Sequence, residues 1–221
     1  MYEQTASSTY VPSREAAIST TRLMGQVMFL VAVAIGVLAL GTVVGKDLSR
    51  GAAFACSIGG FGMLMIQSFG GRRFRVGTFA IGWLYALAFV IGLGLGPTIN
   101  YFTTVEPDAL VAAAGGTALT VVGMGAIGFA MSKDLAPWMR PLSFIVFGAV
   151  IVSLGFLIFG GAGALSPILS LIIYGASAAL IMVYFNYLRK HGTEDDTVML
   201  ATGIFVGIVN IFLSLLNLFS E

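Results

Sequence analysis

Ionisable side chains are scarce in this chain, and chemistry is to be sought first where they gather. The densest cluster is HGTEDD, residues 191–196, in which the only histidine, His191, precedes Glu194, Asp195 and Asp196. Three adjacent carboxylates invite comparison with a calcium site. Neighbouring residues rarely converge on one ion, however, and no glycine-spaced loop of ligands follows. The segment reads instead as a solvated turn whose charge is balanced by Arg189 and Lys190, with His191 an interfacial residue rather than a proton relay. Asp134 stands beside Lys133 in another polar stretch. There is no H-E-x-x-H, no G-x-S-x-G and no phosphate loop, and no apolar run carries the carboxylate pair that intramembrane hydrolysis requires. The last apolar run also lacks the lysine that a retinal Schiff base would need. No catalytic residue, metal site or cofactor is therefore expected, and the chain does not read as an enzyme. Cys56 is the single cysteine, which excludes an intramolecular disulfide; its apolar surroundings predict a buried, inert thiol.

The remaining polar pattern lies in that last run. Within GIFVGIVNIFLSLLNLF, residues 203–219, Gly203, Gly207, Asn210, Ser214 and Asn217 recur at alternating spacings of four and three, and so share one edge of a helix. Isoleucine, valine, phenylalanine and leucine cover the rest. Acyl chains offer an amide no hydrogen bond, so Asn210, near mid-depth, must face protein or water. Two readings stay open: structural glue between helices, or the lining of a solvated path. A similar small-residue face, Thr117, Thr120 and Gly123, reads as helix packing.

These residues need a scaffold, and composition defines it. Hydrophobic residues form 58% of the 221 and charged residues only 10%, well away from the roughly 45–50% apolar content of soluble domains. A hydrocarbon core needs about 20 helical residues per crossing, and seven apolar runs reach that length, at about 23–44, 51–69, 76–95, 109–131, 138–159, 165–188 and 198–219. Backbone groups in lipid must be paired within their own segment, so each run is expected to be a helix and the fold an all-α membrane bundle. The first run is expected to be retained rather than cleaved as a leader. Gly96-Pro97 is expected to end the third helix, with Pro107 in the loop that follows. Gly41-x-x-x-Gly45, Gly92-x-x-x-Gly96 and Gly203-x-x-x-Gly207 have the spacing that lets helix backbones approach closely.

Net charge is only +1, which gives no reason to expect nucleic acid, but its distribution is uneven. Arg14, Arg22, Arg72, Arg73, Arg75, Lys133, Arg140, Arg189 and Lys190 fall on one side of the predicted bundle, against Lys46 and Arg50 on the other. The positive-inside rule then places the amino terminus in the cytoplasm and the carboxyl terminus outside the cell membrane. Residues 1–21 read as a flexible cytoplasmic tail and 22–221 as the transmembrane domain.

GLGLGPTINYFTTVEPDALVAAAGGTAL, residues 92–119, resembles the signature of the Bax inhibitor-1 family, in which a glycine-rich helix end and a proline precede a loop and a small-residue helix carrying Thr-Ala. SKDL at 132–135 is similar to the family's connector after its fourth helix, and FVGIVNIFLSLL at 205–216 to its final helix. HGTEDDTVMLAT at 191–202 is similar to the last connector of the bacterial branch. The resemblance runs from about residue 20 onward. It implies six helices caging a central seventh and, for some members, a pH-sensitive calcium leak. There, two aspartates share a proton, one near the end of helix six in a Tyr-Asp-Thr pattern and one in helix seven three residues before an asparagine. In this chain the second position is Gly207, and the first is Phe185 or Asn186, depending on register. None of these titrates. The resemblance therefore implies a regulatory membrane protein acting by partner binding in membrane-protein quality control or stress response, the partner in the bacterial branch being a membrane-bound protease. The competing expectation is a calcium leak along the helix-seven stripe without the acid sensor. A path without ionisable lining selects cations poorly, which favours the first.

Overall fold

The computed structural model describes residues 14–159 and 165–220, without the side chains of 14–18, 157–159 and 165. Seven helices follow one another: α1 Arg14–Gly45, α2 Arg50–Phe69, α3 Thr78–Val105, α4 Pro107–Ala130, α5 Met139–Phe159, α6 Leu165–Lys190 and α7 Thr197–Phe219. Each contains a span long and apolar enough to cross a bilayer, and among the described residues there is no strand. Single turns of 3₁₀ helix punctuate three connectors, at Arg72–Phe74, Ala136–Trp138 and Glu194–Asp196. α1 begins inside the segment read as a tail, and residues 1–13 lie outside those described. Large apolar side chains stand exposed around the bundle, among them Phe29, Leu40, Val111, Leu119 and Phe144. In water such a surface would aggregate; in a bilayer it is the acyl-chain face.

α7 is the most buried of the spans and α5 the least. Leu200, Ile204, Phe205 and Ile211 of α7 are fully enclosed, in one core with Val27 and Val31 of α1, Leu84 of α3 and Ile181 of α6. The cage around the seventh helix is uneven. α1, α3, α4 and α6 pack directly on α7, whereas α2 packs on α3 and α5 on α6.

α1 and α3 owe their intimacy to the first two glycine pairs, which meet each other. A Cβ at Gly41 would stand 2.5 Å from the Phe89 carbonyl oxygen, and one at Gly45 would stand 2.5 Å from that of Leu93. Reciprocally, Gly92 abuts the Leu38 carbonyl and Gly96 abuts Gly45 itself. Gly94 faces the other way, toward Ser57 of α2, so α3 is clamped between two helices by alternate glycines.

That clamp overturns the expected break at Gly96-Pro97. α3 continues through Pro97 to Val105, the chain reverses at Glu106, and Pro107 opens α4 instead of lying in a loop. Pro97 deprives only the Leu93 carbonyl of its N–H donor, and that oxygen lies against Gly45 of α1, where the absence of a side chain leaves it room. At Pro107 the missing N–H costs nothing, because a first helical turn leaves it unpaired in any case. Cys56 is half-buried rather than buried.

Gly92→Ala drives a methyl group into the Leu38 carbonyl and is expected to cost about 1–3 kcal/mol, the range for overpacking a tight contact. Gly36→Ala on α1, where a Cβ meets nothing within 4 Å, is expected to be neutral or slightly stabilising. Unfolding of the two variants in detergent micelles measures the contrast.

Candidate functional site

The stripe on α7 faces α6. A Cβ at Gly203 would run into the Tyr184 ring at 2.5 Å, and one at Gly207 would stand 2.9 Å from Ile181 Cδ1. Toward the far end, the Asn217 amide donates to the hydroxyls of Ser166 at 3.1 Å and Ser170 at 3.0 Å. Ser214 is buried. The third glycine pair thus differs from the other two: it admits side chains rather than another backbone. Asn210 lies on the same edge, half-buried, and its amide makes no hydrogen bond to a described residue. Ser177, one turn from Ile181 on α6, is fully buried with its hydroxyl equally unpartnered. The seam therefore holds both glue, at Asn217, and unspent polar groups, at Asn210 and Ser177.

Two further polar links reach this pair of helices. Thr120 of α4 hydrogen-bonds the Tyr174 hydroxyl of α6 at 3.1 Å. Thr117 is buried, bonded to its own helix at Ala113, but Gly123 is exposed and meets nothing, so it is not part of the packing face. Gly116, Gly125 and Gly128 supply that face instead, against Leu215, Phe185 and the Met182 backbone. On the opposite flank, buried Gln67 of α2 donates to the Thr202 hydroxyl of α7 at 2.9 Å. A glutamine in a predominantly apolar helix was the available signal for this contact, and its partner was not legible.

The three sensor-equivalent positions do not converge. Gly207 faces Ile181, as above. Phe185 packs its ring on Gly125 of α4, 3.2 Å from where a Cβ would be. Asn186 is completely buried and spends its whole amide on the last turn of α4 and the α4–α5 connector. Its Nδ2 donates toward the carbonyls of Gly128, Met131 and Lys133 at 3.1–3.2 Å, and its Oδ1 accepts the Leu135 N–H at 2.9 Å. Sequence reasoning placed Asn186 as a sensor position and missed this role, because four backbone partners leave no side-chain pattern.

The end of α6 completes the attachment. The Arg189 guanidinium donates to the Met131 carbonyl at 2.5 Å, Lys190 donates to the Ser132 carbonyl, and His191 Nε2 meets Asp134 Oδ2 at 2.9 Å. The Ala136 N–H and the His191 ring hold the Asp134 carboxyl below the usual carboxylate range. Other ion pairs link the same end of the bundle, Arg72 with Asp195 and Arg22 with Glu194, all solvent-exposed. Among the described side chains, every carboxylate lies in a connector or in the first turn of a helix, and no group of three or more histidine, cysteine, aspartate or glutamate side chains could hold a metal ion.

Compared with known proteins, residues 20–221 match the model of a family described as inhibitor of apoptosis-promoting Bax1. A Pseudomonas aeruginosa protein described only as uncharacterized is 29% identical over 171 residues, 75% of this chain and 73% of that protein.

Asn186→Ala strands a buried N–H and several carbonyls, and is expected to lower stability by about 3 kcal/mol, since each orphaned buried group costs about 1–3 kcal/mol. Proteolysis within residues 131–135 is expected to accelerate with it. Asp134 titrates lower in the folded state than in the unfolded chain, so its contribution is present above the ordinary aspartate range and is lost as pH falls through the lower folded value. The difference in Tm between the parent and Asp134→Asn is accordingly expected to close as pH falls below about 4.

Proposed function

The chain belongs to the Bax inhibitor-1 family, and on that premise we propose that it is a non-enzymatic regulator in the cell membrane that acts by binding partners rather than by conducting calcium. One observation carries this reading. The position from which a family sensor aspartate would reach the seam is Gly207, and Ile181 of α6 fills the space in front of it. No carboxylate is found along the α6–α7 seam among the described side chains, so nothing there would attract a divalent cation or release a proton to admit one.

The end of the bundle that carries nine of the eleven cations is the side we assign to the cytoplasm, with the carboxyl terminus outside. That end is also where the connectors are tied into one surface, by Asn186, Arg189, Lys190 and the His191–Asp134 pair. A rigid charged platform at the membrane surface suits recognition of another membrane protein, and the partner class that the bacterial branch suggests is a membrane-bound quality-control protease. The polar residues 1–13 precede the same face and are proposed to take part in that contact.

A second reading keeps one observation in its favour. The unspent polar groups of Ser177 and Asn210 lie in the seam, which suits water better than an apolar wall would. On this reading α7 lines a leak without acid gating.

Photocrosslinking from Arg140, compared with Lys46 at the opposite end, distinguishes the two. Capture of a membrane-bound protease from the Arg140 position, weakened by deleting residues 2–13, is the expected outcome. Calcium-free liposomes with entrapped indicator are expected to admit calcium no faster with the protein than without it, at mildly acidic and mildly alkaline pH alike. Robust pH-dependent entry would refute the proposal.

A further inference from the structure

Four charged side chains from two connectors meet where α2 leaves the bilayer. Arg72 and Arg75, after α2, and Asp195 and Asp196, before α7, line an open recess of about 350 Å³ together with Ser68 and Phe69 of the last turn of α2. Arg72 and Asp195 pair with each other at 3.0 Å and form one wall. Arg75 reaches only the Ser68 carbonyl, at 3.5 Å, and has no carboxylate partner among the described residues. Asp196 accepts from the N–H and hydroxyl of Thr193 through Oδ2, and has no cationic partner among them. The recess thus presents one unmatched guanidinium and one unmatched carboxylate, with a matched pair beside them.

Its depth is set by its surroundings. Phe69 ends a membrane span and is 84% exposed. Phe74, Phe79 and Trp83 cluster close by, with the Arg73 guanidinium 4.5 Å from the centre of the Phe79 ring. Aromatic groups that pair an apolar body with a polar or cationic contact collect at the head-group level of a bilayer. A ligand that enters from the lipid side meets Phe69 first and the charges behind it.

We propose that this recess binds the head group of a phospholipid bearing both a phosphate and a primary ammonium, as in phosphatidylethanolamine. The phosphate lies on Arg75 and the remaining donors of Arg72, the ammonium on Asp196, and an acyl chain along Phe69. Guanidinium groups match phosphate oxygens in geometry as well as charge. Two aspartates disfavour a head group of net negative charge. A quaternary ammonium has no N–H to give Asp196, which separates ethanolamine from choline. The inference is independent of whether the protein regulates a partner or conducts.

The test is native mass spectrometry of delipidated full-length protein, titrated with phosphatidylethanolamine, phosphatidylcholine and phosphatidylglycerol of matched acyl chains, and with soluble phosphoethanolamine. Phosphatidylethanolamine is expected to be retained about fivefold over the other two lipids, as one exposed ion pair allows. Arg75→Gln is expected to weaken retention of phosphatidylethanolamine and phosphatidylcholine alike, because both carry the phosphate that it holds. Asp196→Asn keeps an acceptor for Thr193 and is expected to erase the distinction between ethanolamine and choline. Equal retention of the three lipids, or an undiminished preference in Asp196→Asn, overturns the proposal. Soluble phosphoethanolamine binding as well as the lipid also overturns it, and points to a free phosphate-bearing amine. Should Arg75→Gln fail to fold, the ranking of lipids by the parent protein and the Asp196→Asn variant decide the question without it.

Discussion

An amide inside hydrocarbon has no solvent to fall back on, and this fold is organised around turning the polar edge of α7 away from lipid. Lipid cannot bond its amides and hydroxyls, so the edge is turned onto α6. Asn217 is paired there with two serines, while Gly203 and Gly207 open the space that Tyr184 and Ile181 fill. Each hydrogen bond of this kind contributes only about 1 kcal/mol. The consequence is larger than the energy, because fixing that edge against α6 turns the remaining faces of α7 to α1, α3 and α4 and makes the last helix the interior of the bundle. The glycine-to-glycine contact of α1 with α3 then closes that side of the shell at backbone distance.

Charge is handled in the opposite way. The membrane interior of the described bundle is without acids, and the ionised groups are concentrated at the ends, most densely where the basic connectors gather. There the α4–α5 connector is stitched to the end of α6 by Asn186, Arg189, Lys190 and His191. Surface ion pairs in water are individually weak. The buried part of this attachment is Asn186, whose amide satisfies backbone groups that would otherwise be left orphaned. The contrast between an interior without acids and a charged face held together by hydrogen bonds is the physical basis of the proposed role.

The spans were legible because hydrocarbon imposes one length and one composition on every crossing, and the α7 stripe because its spacing follows the helical repeat. All three glycine pairs were legible as spacing, but not that two of them are partners of one another, since nothing local tells Gly41 and Gly45 that Gly92 and Gly96 face them. Pro97 misled for a related reason: the rule that proline ends a helix is local, whereas α3 is held through that point by its contact with a different helix. Asn186, Gln67 and Ser177 were beyond reach because their meaning lies in a partner, or the lack of one, across the bundle. Gly123 was included in a packing face by its periodicity, yet it lies on the exposed side of α4.

The seam between α6 and α7 is tested most directly by oxidative crosslinking of Ser170→Cys/Asn217→Cys in native membranes, in a Cys56→Ser background. Rapid disulfide formation by that pair, with none when the second cysteine replaces Phe144 on the exposed face of α5, is the result this account predicts. Failure of the 170–217 pair to crosslink, or labelling of a cysteine at 217 by a lipid-confined reagent, would contradict it.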